Sequence, residues 1–173
     1  AGSGYSTCDG LDVTRWREDA TSDCWGQYFY IRDLDGGRAW SAGRQPLGGD
    51  ADDYETILGP DRAVFRRRDA DIETRYEVAV ASDADAEVRR ITVTNHDARP
   101  RTLEVTSYAE VALNPRRADQ AHPAFAKLFL ETEYLPVPPT LLCRRRPRAR
   151  DQKPIWALHF VAGPEDGTSV GRV

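Results

Sequence analysis

The chain has 173 residues, 40% hydrophobic and 30% charged, with a formal net charge of −4 and a mean hydropathy of −0.62. That balance fits a core-forming soluble fold and excludes a disordered chain. It argues against nucleic acid as the main partner, because phosphate backbones call for a basic surface. No apolar run approaches the roughly 20 residues of a membrane-spanning helix, so direct membrane insertion is not expected. No secretory signal is visible at the start. The chain opens on Ala-Gly-Ser-Gly-Tyr, holds no methionine, and closes on "GPEDGTSVGRV" (163–173) after an apolar run, so an excised piece of a longer protein is expected. Cys8, Cys24 and Cys143 lack C-x-x-C spacing and make neither a disulfide framework nor a zinc site. They read as reduced, partly buried thiols. His96, His122 and His159 show no ligand spacing, and no metal site is expected.

In chain order, "QYFYIRD" (27–33) and "RAWSA" (38–42) flank "LDGG" (34–37), a hairpin signal because Asp-Gly and Gly-Gly tolerate positive φ. "AVFRRRD" (63–69) leads into "DIETRYEVAV" (71–80), where Ile72, Thr74, Tyr76, Val78 and Val80 share a face. "VRRITVTN" (88–95) is β-branched and is followed by the turn chemistry of "HDARP" (96–100). "TLEVTSYAEVAL" (102–113) then alternates as one half-buried strand, and the spacing predicts a hairpin of these two runs. "PRRADQAHPAFA" (115–126) is the best helix candidate, but Pro123 interrupts it and it reads as a long loop. "KLFLETEYL" (127–135), "TLLCRRR" (140–146) and "IWALHFVA" (155–162) follow, punctuated by prolines. The sum is roughly nine to eleven short strands. An all-β, antiparallel, two-sheet architecture in a single domain over 1–173 is expected.

Few residues point to chemistry. No G-x-S-x-G is present, and the glycines of "GSGYS" (2–6) open a strand-rich region instead of a phosphate-cradling helix. Asp19, Asp23, Asp33 and Glu110 read as solvated or paired with arginine. Arg15, Trp16, Arg17, Trp25 and Trp40 gather in the first forty residues. Rings and guanidinium groups suit sugars, yet tryptophans also dominate cores and interfaces, and both readings stay open. The segment "NPRRADQAHPAFAKLF" (114–129) is long for a connection between strands and brings His122, Phe125 and Lys127 together, either as a functional loop or as an ordinary one with Phe125 as anchor. "RRRPRAR" (144–150) reads as a solvated face or a salt-bridged joint.

Taken in order, "GSGYS", "VTRWREDAT", "WGQYFYIRD", "WSAGRQP", "FRRRDADIET", "AEVRRITVTN", "EVTSYAEVAL" and "ADQAHPAFAKLFLETE" resemble the cyclic β-1,2-glucan synthases. The match is to their carboxy-terminal part, itself similar to glycoside hydrolase family 94, the cellobiose and chitobiose phosphorylases. The resemblance runs from residue 2 to about residue 162. It implies a β-supersandwich of the galactose-mutarotase-like kind, of which this chain holds an incomplete copy, followed elsewhere by an (α/α)6 barrel carrying the general acid. Cofactors are none, with inorganic phosphate as co-substrate of the parent enzyme. No catalytic residue is assigned to this chain. Implied partners are the barrel of the same polypeptide, β-1,2-glucan, and a second copy in a homodimer. The implied location is the cytoplasmic side of a bacterial inner membrane, through a membrane-anchored parent.

The loop after "SYAEV" matches one that reaches a partner's active site in dimeric relatives, which makes His122, Phe125 and Lys127 candidates to line the sugar or phosphate entrance. The related phosphorylases carry a glutamine and an arginine near this point, where this chain does not. Arg15, Trp16, Arg17 and Trp25 are candidates for a domain joint or a sugar contact. The expected role is a non-catalytic sandwich module; the alternatives are a stand-alone carbohydrate-binding module and a structural or dimerisation spacer.

Overall fold

The computed structural model describes residues 4–19, 21, 23–150 and 152–163. Gly2 of "GSGYS" and the tail beyond residue 163 lie outside the described residues. The described chain is all-β with antiparallel sheets: β1 (Thr7–Cys8), β2 (Leu11–Thr14), β3 (Gln27–Asp33), β4 (Ala39–Ser41), β5 (Asp53–Leu58), β6 (Arg62–Asp69), β7 (Ile72–Val80), β8 (Glu87–Asn95), β9 (Leu103–Ala109), β10 (Val111–Asn114), β11 (Leu130–Pro136), β12 (Pro139–Arg145) and β13 (Ile155–Phe160). Two short helices, α1 (Arg116–Ala121) and α2 (Pro123–Lys127), sit between β10 and β11. Among the described residues no helix is long and apolar enough to cross a membrane.

The chain packs as two compact units, each assembled from separated stretches. The first holds residues 1–5 and 16–110 and contains two sheets, of strand order β4-β3-β9 and β5-β6-β7-β8. Its core lies between them. Ile31 and Trp40 come from one sheet, with Ala42 just past the end of β4, and Phe65, Ile72 and Tyr76 from the other, all nearly or fully buried. The Trp40 indole N–H donates to Thr74 Oγ1 across the layers at 3.2 Å. Buried Arg67 grips Asp69 through two nitrogens at 2.6 and 2.8 Å and donates to the main-chain oxygens of Ser41 and Gly43. A buried charge is tolerable only with such a partner set.

Local chemistry sets the hairpins. The turn between β3 and β4 is held by Asp33, whose Oδ1 accepts from the N–H groups of Asp35 and Gly36, each at 3.0 Å. A Cβ on Gly36 would come within 2.6 Å of Asp33 Oδ2, so only glycine lets the backbone approach so closely. The β6–β7 hairpin closes on Ala70 and Asp71, with Asp69 opposite Ile72 and Ala70 at φ 54°.

Two sequence expectations fail here. The runs 88–95 and 102–113 do not form a hairpin: β8 pairs with β7, and β9 pairs with β3 from Gln27↔Ala109 to Asp33↔Leu103. Turn chemistry between two strands announces a reversal and leaves the partner open, and the hydrophobic faces decided otherwise. Nor is 102–113 a single strand. It breaks at Glu110, whose N–H donates to the Gly26 oxygen at 3.2 Å, and β10 joins the second unit.

That unit holds residues 6–15 and 111–173. Its sheets have strand orders β1-β2-β10 and β11-β12-β13. The register of β2 against β10 shifts between Val111 and Asn114, and Leu113, fully buried, takes φ 47°. Such a bulge costs an L residue of order 1–3 kcal/mol, re-aims the side chains beside it, and tends to occur next to sites. The segment 115–126, read as a loop, is α1 and α2 instead. Pro123 does not break a helix here; it occupies the first turn of α2, where a missing N–H is harmless.

Candidate functional site

The second unit carries a concavity of about 160 Å³, walled by Asn114, His122, Phe125, Arg145 and Arg148 with alanines of the two helices between them. Each wall has a local cause. Asn114 follows the bulge at Leu113 and ends β10. His122 is the junction where α1 stops and α2 begins, and Phe125, half-exposed, lies one turn further along α2. Arg145 closes β12. Strand alternation exposes Arg144 and Arg146 and buries Arg145 between them.

Arg145 is only 4% exposed. Its Nη1 donates to the main-chain oxygens of Ala112 and Ala126 at 3.4 and 3.2 Å. Burial and the positive charge of Arg148 push its pKa down, and Asp119 pulls partly against them. Arg148 lies over the rings of Phe125 and Phe129, 5.4 and 5.0 Å from their centroids, while those rings meet edge to face at 5.2 Å. The run 144–150 is thus more structured than a solvated face. Arg144 pairs with Glu131 and covers Trp156, Arg146 approaches the same glutamate, and Arg145 turns inward.

The predicted loop residues are only partly brought together. His122 and Phe125 line the concavity; Lys127, exposed in the last turn of α2, does not. Arg145, Arg148 and Asn114 went unnoticed as site residues. The alternation of β12 was the available signal for Arg145, hidden because "RRRPRAR" reads as one basic block.

The amino-terminal candidates divide between the units. Arg15, in the second, is 2% exposed and grips Asp119 through Nε and Nη2, each at 2.6 Å. Removing one partner of such a pair costs about 3–5 kcal/mol. Arg15 therefore anchors β2 to α1 from inside the second unit. Arg116 reaches Asp12 alongside at 3.1 Å. In the first unit, Trp16 stacks on Tyr5 at 5.2 Å, and the Arg17 guanidinium sits over the Trp25 ring at 5.1 Å. Arg17, half-buried, leaves Nε and Nη2 without partners. Of the carboxylates considered, Asp33 is buried in the β3–β4 turn. The Gly36 N–H, then the Asp35 N–H and Arg101 at 2.6 Å, hold its carboxyl below the usual range against the effect of burial.

Comparison with known proteins agrees with this architecture. The family model described as "Glycosyl hydrolase 94, supersandwich domain" matches residues 1–172. The cyclic beta-(1,2)-glucan synthase NdvB of Rhizobium meliloti (strain 1021) is 36% identical over 170 residues, 96% of this chain and 6% of that protein. The N,N'-diacetylchitobiose phosphorylase of Vibrio furnissii is 30% identical over 124 residues, 70% of this chain and 16% of that protein. A 3-O-beta-D-glucopyranosyl-beta-D-glucuronide phosphorylase of Paenibacillus borealis is 32% identical over 79 residues, 46% of this chain and 10% of that protein. The chain thus spans less than a fifth of each of these relatives. With antiparallel sheets throughout the described residues and the family model matched almost end to end, the chain belongs to the glycosyl hydrolase 94 supersandwich domain family.

Proposed function

We propose that this chain is a non-catalytic β-sandwich module of an enzyme of the cyclic β-1,2-glucan synthase or glycoside phosphorylase type. It supports an (α/α)6 barrel of the same polypeptide, and its α1–α2 segment lines the barrel's sugar or phosphate entrance. The observation that carries the reading is that a synthase and phosphorylases with different named substrates share this one segment, while it makes up only 6% to 16% of the first two of them. What differently acting proteins hold in common is a scaffold; what distinguishes them lies elsewhere. Fold and chemistry separate in this way routinely. His122 and Phe125, grouped with two arginines on one rim, supply the ring and donor groups that a sugar or phosphate entrance requires.

On this reading β-1,2-glucan is the parent's substrate and inorganic phosphate its co-substrate, with no other cofactor. The parent is anchored so that this domain faces the cytoplasm, and a second copy brings its own loop to the partner's cleft. The test is to replace His122, Phe125 and Lys127 together by alanine in the full-length enzyme. A loss of tenfold or more in kcat/KM for phosphorolysis is expected, about 1.4 kcal/mol of transition-state stabilisation. An unchanged rate in a folded enzyme reduces the segment to a spacer.

A further inference from the structure

Three arginines are buried among the described residues, and two of them have a carboxylate in their fork. Arg15 holds Asp119 at 2.6 Å through each of two nitrogens, and Arg67 holds Asp69 at 2.6 and 2.8 Å. Arg145 is the third, at 4% exposure, and it has none. Its guanidinium lies over the Phe129 ring, 5.6 Å from the centroid, and only Nη1 is hydrogen-bonded, to two carbonyl oxygens at 3.2 Å or more; Nε and Nη2 have no hydrogen-bond partner among the described residues. Asp119, the carboxylate whose charge reaches Arg145, is already held by Arg15. A guanidinium cannot shed its proton at neutral pH, so a buried one without a counter-charge is expensive unless something supplies it.

The surroundings indicate what that is. Arg145 lines the concavity, and the other polar groups there are the Arg148 guanidinium, the Asn114 amide and the His122 ring. Among the described residues no carboxylate lines it, in a chain whose net charge is −4. Arg148 is steadied over Phe125 and Phe129, which fixes its head without neutralising it. The volume, about 160 Å³, lies below the roughly 300–1,000 Å³ of sites that enclose drug-sized ligands. It is too small for a glucan segment and suits a compact ion. Planar guanidinium forks match the oxygen spacing of phosphate, and an amide and an imidazole complete a donor set.

We propose that this concavity binds a small tetrahedral oxyanion, either inorganic phosphate or the phosphate group of a hexose phosphate, between Arg145 and Arg148. The proposal rests on the entrance reading for the residues it shares with it and goes further, since binding to this chain requires neither a barrel nor a glucan, and the titration below can fail while the phosphorolysis test succeeds. It is tested on the 173-residue chain by thermal unfolding and phosphorus NMR during titration with inorganic phosphate at constant ionic strength. A parallel titration uses glucose 1-phosphate. Saturable stabilisation is expected, since a ligand of the native state adds RT ln(1 + [L]/Kd). Equal affinity for the two probes assigns the site to the bare ion, and tighter binding of the ester assigns it to a sugar phosphate.

Arg148→Gln, at an exposed position that does not threaten folding, should weaken Kd about tenfold or more, and Arg145→Gln should abolish saturation. Arg90→Gln, an exposed arginine of the first unit, should change nothing. A titration without saturation overturns the proposal, and so does an Arg148→Gln variant that binds like the parent or like Arg90→Gln. If Arg145→Gln does not fold, the Arg148→Gln comparison decides alone.

Discussion

Asp33 shows how one side chain fixes a turn and sets a pH response. Two backbone N–H groups and Arg101 donate to its carboxylate, and the charged form is favoured over the neutral one. Its native pKa is lowered, whereas an unfolded aspartate titrates near 3.9. A depressed native pKa contributes stability above the unfolded value and loses it as pH falls through the native value. Asp33→Asn should therefore lower the denaturant midpoint at neutral pH and flatten the fall in stability below about pH 4. Midpoints measured across that range check it, and an acid limb as steep as the parent's would contradict it. The sequence marked "LDGG" as the turn and left Asp33 as one more acidic residue, because the feature that singles it out is Arg101, 68 positions along the chain. Arg145 escaped notice for a related reason: its neighbours in sequence are also arginines, and only the strand's alternation separates the buried one from the exposed ones.

Elements whose signal is local were legible; those that depend on a choice among distant partners were not. The β3–β4 and β6–β7 hairpins stand where alternation and turn residues put them, and Ile72, Thr74 and Tyr76 are buried on the face that the period-two pattern selects. The pairing of β9 with β3, 70 or more residues away in sequence, was beyond such reading. The helices α1 and α2 are only six and five residues long, too short for a 3.6-residue period to register. At this scale Ala70 is the informative position. It is exposed, sits at φ 54° in a two-residue connection, and its N–H reaches Asp52 Oδ2 at 2.6 Å. A left-handed L residue costs about 1–2 kcal/mol, and glycine's greater freedom in the unfolded chain returns roughly half of that. Ala70→Gly should raise stability by about 0.5–1 kcal/mol, read from urea unfolding. A loss instead would mean the turn is not strained at that residue.

Across the whole molecule, the all-β class and the antiparallel layers were legible, since thirteen short strands leave alternation and turn marks along most of the described chain. The division of the chain between units was not. Residues 6–15 leave the first unit to build the second, and Tyr5 and Trp16 stack on each other at either end of that excursion. Neither unit is therefore a continuous stretch of sequence. Deleting residues 1–15 should unfold the second unit, since it removes β1, β2 and Arg15 together, while the first keeps the sheets built from 27–109. Hydrogen exchange would show protection lost from β10 and retained in β6 and β7; protection retained in both would contradict this. The same connection governs biosynthesis. Arg15 and Asp119 are 104 residues apart, so at ribosomal rates of about 5–20 residues per second β2 waits about 5–20 s before α1 is made. During that interval β2 is an unclaimed edge, shielded by the buried charges Asp12 and Arg15 that make a wrong strand a poor match.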